Sequence, residues 1–250
     1  MEKIQIETQD LYTVGNFFNF GTNSPLVICS HGFASSKENS TYKALTKLLS
    51  EFQISSFCYD FYGHGESSGD VKDLTTTKAI QNLQSVYRYF WDNGYRKIGL
   101  VGSSFGGFIS LLCAPDWKDL LFLALKCPVS DFLAIQLERR TQEELEEWKR
   151  KGFILYKLGE NLEFKLNYSF FEDLTKYNGY TKASQIQVPT LIVHGSKDES
   201  VPLLQSQKLK NLIPNSILEI IQGADHRFSN HTDFDRMVSL ILEFILKNTK

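Results

Sequence analysis

The chain has 250 residues, 42% of them hydrophobic and 13% aromatic, with a formal net charge of −2. That length is enough for one domain with a sizeable core. The near-neutral charge gives no reason to expect nucleic acid or an anionic membrane as partner, and no apolar run approaches the ~20 residues needed to span a bilayer.

The polar, alternating start, Met1-Glu-Lys-Ile-Gln-Ile-Glu-Thr, reads as a strand and lacks the apolar core of a signal peptide, so a cytoplasmic location is the default expectation. Lys3–Glu7 and about Thr13–Phe20 are expected to pair as antiparallel strands. Leu26–Ser30 is the third strand, and His31-Gly32-Phe33 opens the loop after it. A helical pattern over Lys37–Glu51 leads to a strand at Ile54–Tyr59 and a turn, Asp60-Phe-Tyr-Gly63-His64-Gly65-Glu66-Ser67. Thr75–Asn93 is helical, Lys97–Val101 is a strand, Phe105–Cys113 is helical and Leu121–Lys126 is a strand. After a long interval come a strand at Val188–His194, a helix at Leu203–Ile213, a strand at Ile217–Ile221 and a helix at Asp233–Lys247. Alternating β and α segments predict a parallel sheet covered on both faces. Cys29, Cys58, Cys113 and Cys127 lack metal-ligand spacing, and buried free thiols are expected of them.

The interval from Ser130 to Gln187 is far longer than one crossover needs. It holds a strongly charged helix, Thr141–Lys151, whose polar face reads as a solvated surface. The apolar or alternating segments Phe153–Tyr156 and Phe164–Tyr168 are harder to leave exposed, because Phe and Tyr need something to cover.

The segment richest in chemical information is Leu100-Val-Gly102-Ser103-Ser104-Phe105-Gly106-Gly107. It places a G-x-S-x-G pattern between a strand and a helix. A serine on so sharp a turn presents its hydroxyl at the carboxyl end of the sheet, and glycines let neighbouring backbone come close. A serine hydroxyl needs a base, and the base needs an orienting carboxylate. Asp198 follows the Val188–His194 strand and His226 follows Ile217–Ile221, so Ser104, Asp198 and His226 occur in the order the pattern demands. Asp225 and Glu199 are nearby rivals for the acid, and a solvated loop charge is the alternative for Asp198. The backbone N–H groups of Phe105 and Phe33 are the candidate oxyanion donors, with Gly32 letting the chain turn and His31 bracing the loop.

Taken together, His31-Gly32-Phe33, the Asp60–Ser67 turn, Gly102-x-Ser104-x-Gly106, Asp198 and His226 resemble α/β-hydrolase-fold serine hydrolases, in particular small bacterial carboxylesterases such as feruloyl and cinnamoyl esterases and monoacylglycerol lipase-like relatives. The resemblance implies a mostly parallel central sheet with helices on both faces, and a cap of about residues 131–185 after the sixth strand. It implies a structural role for Asp60, His64 and Ser67. It also implies ester cleavage through an acyl-enzyme on Ser104, with no cofactor and no metal, on a small-molecule ester. Thioesterase, amidase or acyltransferase activity would use the same three residues, and a catalytically silent ligand-binding fold is the reading from another class. Ser103 stands where many relatives carry His, and the loop at Gly32 lacks an H-G-G-G run, which points away from esters of bulky tertiary alcohols.

Overall fold

A strand buried on both faces reads as a continuous apolar run, and several such runs form the centre of this fold. The computed structural model describes residues 1–8, 11–158 and 162–250. In chain order the main elements begin with β1 (Glu2–Thr8), β2 (Leu11–Phe18), β3 (Leu26–Ser30), α1 (Ser40–Glu51), β4 (Ser55–Tyr59), α2 (Thr76–Asp92), β5 (Ile98–Ser103), α3 (Phe105–Cys113) and β6 (Leu120–Lys126). The chain then leaves the sheet for α4 (Phe132–Glu138), α5 (Gln142–Lys151), β7 (Phe153–Leu158), β8 (Leu162–Asn167) and α6 (Tyr168–Leu174). It returns through β9 (Thr190–Gly195), α7 (Leu203–Leu212), β10 (Ser216–Ile221) and α8 (His231–Asn248).

Eight strands form one sheet in the order β1-β2-β4-β3-β5-β6-β9-β10. The pairings β1–β2 and β2–β4 are antiparallel, and the pairings from β4 through to β10 are parallel. Side chains alternate between two cores, as the two-residue period of a strand requires. Ile28, Leu100, Leu123 and Leu125 face α2, α3 and the inserted segment. Val27, Cys29, Val101, Phe122 and Ala124 face α1 and α8. The carboxyl ends of the parallel strands meet at one edge, and the loops there carry His31, Asp60, Ser104, Cys127, Asp198 and His226.

The structure revises the sequence reading at the start of α1 and adds detail in the insertion. Helix α1 begins at Ser40 and not at Lys37, because Asn39 caps it by accepting the Tyr42 N–H. Lys37 stays in the preceding loop, buried, with its ammonium on Asp60 at 2.5 Å and Glu66 at 2.7 Å. The inserted aromatic segments pair as an antiparallel hairpin, β7 against β8, and Tyr168 opens α6. Residues 159–161 of the insertion lie outside the described residues. Helix α5 is solvated except along Leu145 and Trp148; a Thr141–Glu144 capping box starts it and Gly152, at φ +77°, ends it.

Candidate active site

Strand β5 ends by turning sharply into α3 at Ser104, which has φ +53° and ψ −113°. A side chain held there costs of order 1–3 kcal/mol in backbone strain, so the surroundings must pin it. The Ser104 N–H donates to Lys126 O at 2.9 Å, and Ser104 O accepts from Phe108 at 3.1 Å and Val129 at 3.2 Å. Close packing explains the flanking glycines. A Cβ on Gly106 would lie 1.9 Å from Ser30 O, and one on Gly102 would lie 2.7 Å from Gly106 O. As the residue before a helix, Ser104 could have spent its hydroxyl on a cap, but it makes no such bond. Instead it lines a cavity of about 390 Å³ together with Phe33, Phe105 and His226.

His226 and Asp198 meet across the edge of the sheet. His226 Nδ1 donates to Asp198 Oδ2 at 2.7 Å, which leaves Nε2 as the ring nitrogen with a free lone pair. Burial lowers the imidazole pKa below its usual 6.5 and the Lys126 ammonium lowers it further, while the Asp198 hydrogen bond and charge oppose both. The Asp198 side chain is fully buried. Burial alone would raise its pKa, but hydrogen bonds from His194 and His226 and the backbone of Val201 hold it far below the usual carboxylate range. Oδ1 accepts the N–H groups of Ser200 and Val201, each at 2.8 Å. Of the rival acids, Asp225 is engaged with the Ser229 N–H at 2.9 Å, and Glu199 is exposed.

The loop after β3 is fixed by two neutral imidazoles. His31 Nδ1 donates to Gly32 O at 2.7 Å, and Nε2 accepts the Phe61 N–H at 3.0 Å. Burial pushes the His31 pKa down to about 3. Because a trans peptide sets its N–H opposite its C=O, tying Gly32 O to His31 turns the Phe33 N–H the other way. That N–H has no acceptor among the described residues. The Phe105 N–H is the first of α3 and so has no intrahelical acceptor. His64 accepts the Ala34 N–H at 3.2 Å, Asp60 takes the Lys37 ammonium and the Glu66 N–H, and Ser67 donates to Asp60 O at 2.6 Å. These three residues brace the turn and do not line the cavity.

The structure adds residues that the sequence reading passed over. His194 lies buried on β9 with Nε2 3.2 Å from Asp198 Oδ2 and 3.0 Å from Val201 O, so the carboxylate oxygen is shared between two histidines. Cys127, His194 and Asp198 bring ligand atoms within 4.8 Å of one another. Both His194 ring nitrogens and both Asp198 oxygens are already engaged by protein groups, so this cluster serves to cradle the Asp198 carboxylate. Lys126, at the end of β6, is buried and donates to His226 O at 2.9 Å. The signal for Lys126 was a lysine ending an otherwise apolar run.

The comparisons agree with this architecture. The chain is 28% identical over 218 residues to a Mycoplasma pneumoniae protein named as an esterase/lipase, covering 78% of this chain and 80% of that one. It is 23% identical to the human palmitoyl-protein thioesterase ABHD10, covering 90% of this chain and 74% of that one. Among solved structures it is similar to mouse alpha/beta hydrolase domain-containing protein 10, with a TM-score of 0.86, 21% identity and 99% of both chains covered. It is also similar to Est1E of Butyrivibrio proteoclasticus solved with ferulic acid, with a TM-score of 0.80, 23% identity and 98% of both chains covered. Residues 26–240 match the sequence model of the alpha/beta hydrolase family, and the chain belongs to that family.

Proposed function

We propose that this chain is a serine hydrolase that cleaves carboxylic esters through an acyl-enzyme on Ser104. One observation carries the reading. A strained serine with an uncapped hydroxyl shares a cavity with His226, whose far nitrogen is held by a buried Asp198. His226 Nε2 takes the Ser104 proton as Oγ attacks the carbonyl carbon. The N–H groups of Phe33 and Phe105 stabilise the oxyanion. As the tetrahedral adduct collapses, the bond to the leaving alcohol breaks and His226 returns the proton to it. Water then enters, His226 takes its proton as the oxygen attacks the acyl carbon, and collapse of the second adduct breaks the bond to Ser104 Oγ, which regains the proton from His226 as the acid leaves. Asp198 keeps the proton on Nδ1 and balances the imidazolium.

A thioester fits the same steps, and the relatives named as palmitoyl-protein thioesterases support including it. The segment of about 131–185 serves as a cap, because its Phe132, Ile135 and Tyr156 line the cavity that holds Ser104. The four free, buried cysteines support a reducing compartment such as the cytoplasm, and no helix among the described residues is long and apolar enough to cross a membrane. A fluorophosphonate probe tests the reading: it should label the wild type and fail on Ser104→Ala, while Ser103→Ala still labels. Equal labelling of wild type and Ser104→Ala would refute it.

A further inference from the structure

The cavity beside Ser104 has two chemically different sides. Phe105, Val129, Phe132, Ile135 and Tyr156 line it and belong to the core under α2, α3 and the insertion. Lys126 points to the other side. Along β6, Phe122 and Ala124 face the α1 and α8 core, and Lys126 continues that alternation with its ammonium over the Phe228 ring at 5.1 Å. Arg227 follows His226 at the cavity wall, and Arg139 reaches the rim by donating to Ser200 O at 2.7 Å. Among the described residues, three cations and no carboxylate line the cavity.

Lys126 is the telling group. Buried charges are normally paired, because desolvation of a lone ion costs several kcal/mol. The fold obeys this at Lys37, which is buried against both Asp60 and Glu66. Lys126 is equally buried, at 5% exposure, yet among the described residues it has no carboxylate partner. One of its three donors goes to His226 O, and two remain for the cavity. On the same side, the first turn of the 12-residue helix α1 presents Ser40 and Thr41 and contains no acidic residue. Thr41 is 6% exposed, and its hydroxyl has no partner among the described residues. The first N–H groups of a helix, with the positive end of its dipole, add to the field that the cations set up.

We infer that the substrate is an ester or thioester carrying an anionic group, a carboxylate or a phosphate, close to the scissile bond. Lys126, Arg227 and the start of α1 bind that group, and the aromatic side takes the hydrocarbon part. This inference rests on the reading of Ser104 as the acylated nucleophile.

Two matched pairs of esters test it. Mono-4-nitrophenyl glutarate against 4-nitrophenyl valerate puts the charge on the acyl side. 3-Carboxy-4-nitrophenyl butyrate against 4-nitrophenyl butyrate puts it on the leaving group. In at least one pair the anionic ester should have a kcat/KM about tenfold higher or more at low salt, a margin typical of hydrogen bonds to a charged group. The preference should shrink as ionic strength rises. Lys126→Gln should lower the anionic-to-neutral ratio by about tenfold, and the exposed Arg227→Gln, which keeps the test open if the buried variant misfolds, by several-fold. Competition by phenyl phosphate and by phenylacetate then tells which anion is preferred. A preference for the neutral ester in both pairs, or a ratio unmoved in both variants, would overturn the inference while Ser104-dependent turnover left the hydrolase reading standing. If no ester is cleaved, calorimetric titration with glutarate and phenyl phosphate still decides. Binding to the wild type that is weakened in either variant supports the site, and no binding to the wild type removes it.

Discussion

The Asp198 carboxylate has more partners than orienting one imidazole requires. Two backbone N–H groups hold Oδ1, and His226 and His194 share Oδ2. Asp198→Asn should fold and yet lower kcat by roughly 10⁴, because the amide favours the wrong His226 tautomer. His194→Gln should cost far less, about tenfold in kcat with KM little changed, since it loosens the carboxylate without removing its charge. Steady-state kinetics on the two variants checks the order, and equal losses would mean that His194 does more than position. The pH profile is a second check at this scale. His226 acts as a base only when neutral, so kcat/KM should rise with pH through an apparent pKa below the ordinary 6.5. Lys126 disfavours the imidazolium, so Lys126→Gln should move that limb to higher pH. A shift to lower pH would contradict the assignment.

At the scale of elements, the insertion presents some aromatics to the cavity and keeps others for itself. Tyr156 lines the cavity and packs on Phe33 with ring centroids 5.1 Å apart. Tyr168 packs on Phe171 and Trp148, and Phe153 lies under Lys165. Tyr156→Ala should therefore lower kcat/KM for bulky acyl esters by on the order of 1–3 kcal/mol and for acetate esters by less. Tyr168→Ala should lower thermal stability and leave the ranking of esters alone; a panel of esters of graded length reads both. Sequence spacing alone marked these aromatics as needing cover, but it could not tell which faced Ser104, because that depends on the β7–β8 pairing. The β–α alternation and the turn at Ser104 were legible for a physical reason: contacts such as that of Gly106 with Ser30 O leave no room for a Cβ. His194 and Lys126 were passed over because each is a single polar residue near the end of an apolar strand, a weak signal that belongs to no motif and does not say what the side chain meets. The start of α1 was misplaced because the Asn39 cap outweighs the apparent periodicity from Lys37.

For the whole molecule, the neutral, buried His31 ties the shape of the loop after β3 to stability. Its pKa is about 3 when folded and near 6.5 in the unfolded chain, so between these values the unfolded state binds more protons. Stability should thus fall as pH drops from about 6.5 toward 3, with this group contributing a slope of up to ~1.4 kcal/mol per unit. His31→Gln should melt lower at neutral pH but show a shallower acid decline, as thermal melts across that range would reveal. All of these effects converge on one claim, that the fold exists to hold Ser104 as an acyl acceptor. Acid-quenching the reaction with a 4-nitrophenyl ester during its first turnovers, followed by peptide mass spectrometry, tests that claim most directly. The account predicts an acyl adduct on Ser104 that appears with the burst of nitrophenolate and is absent in Ser104→Ala. Undiminished turnover in Ser104→Ala, or an adduct on another residue alone, would contradict it.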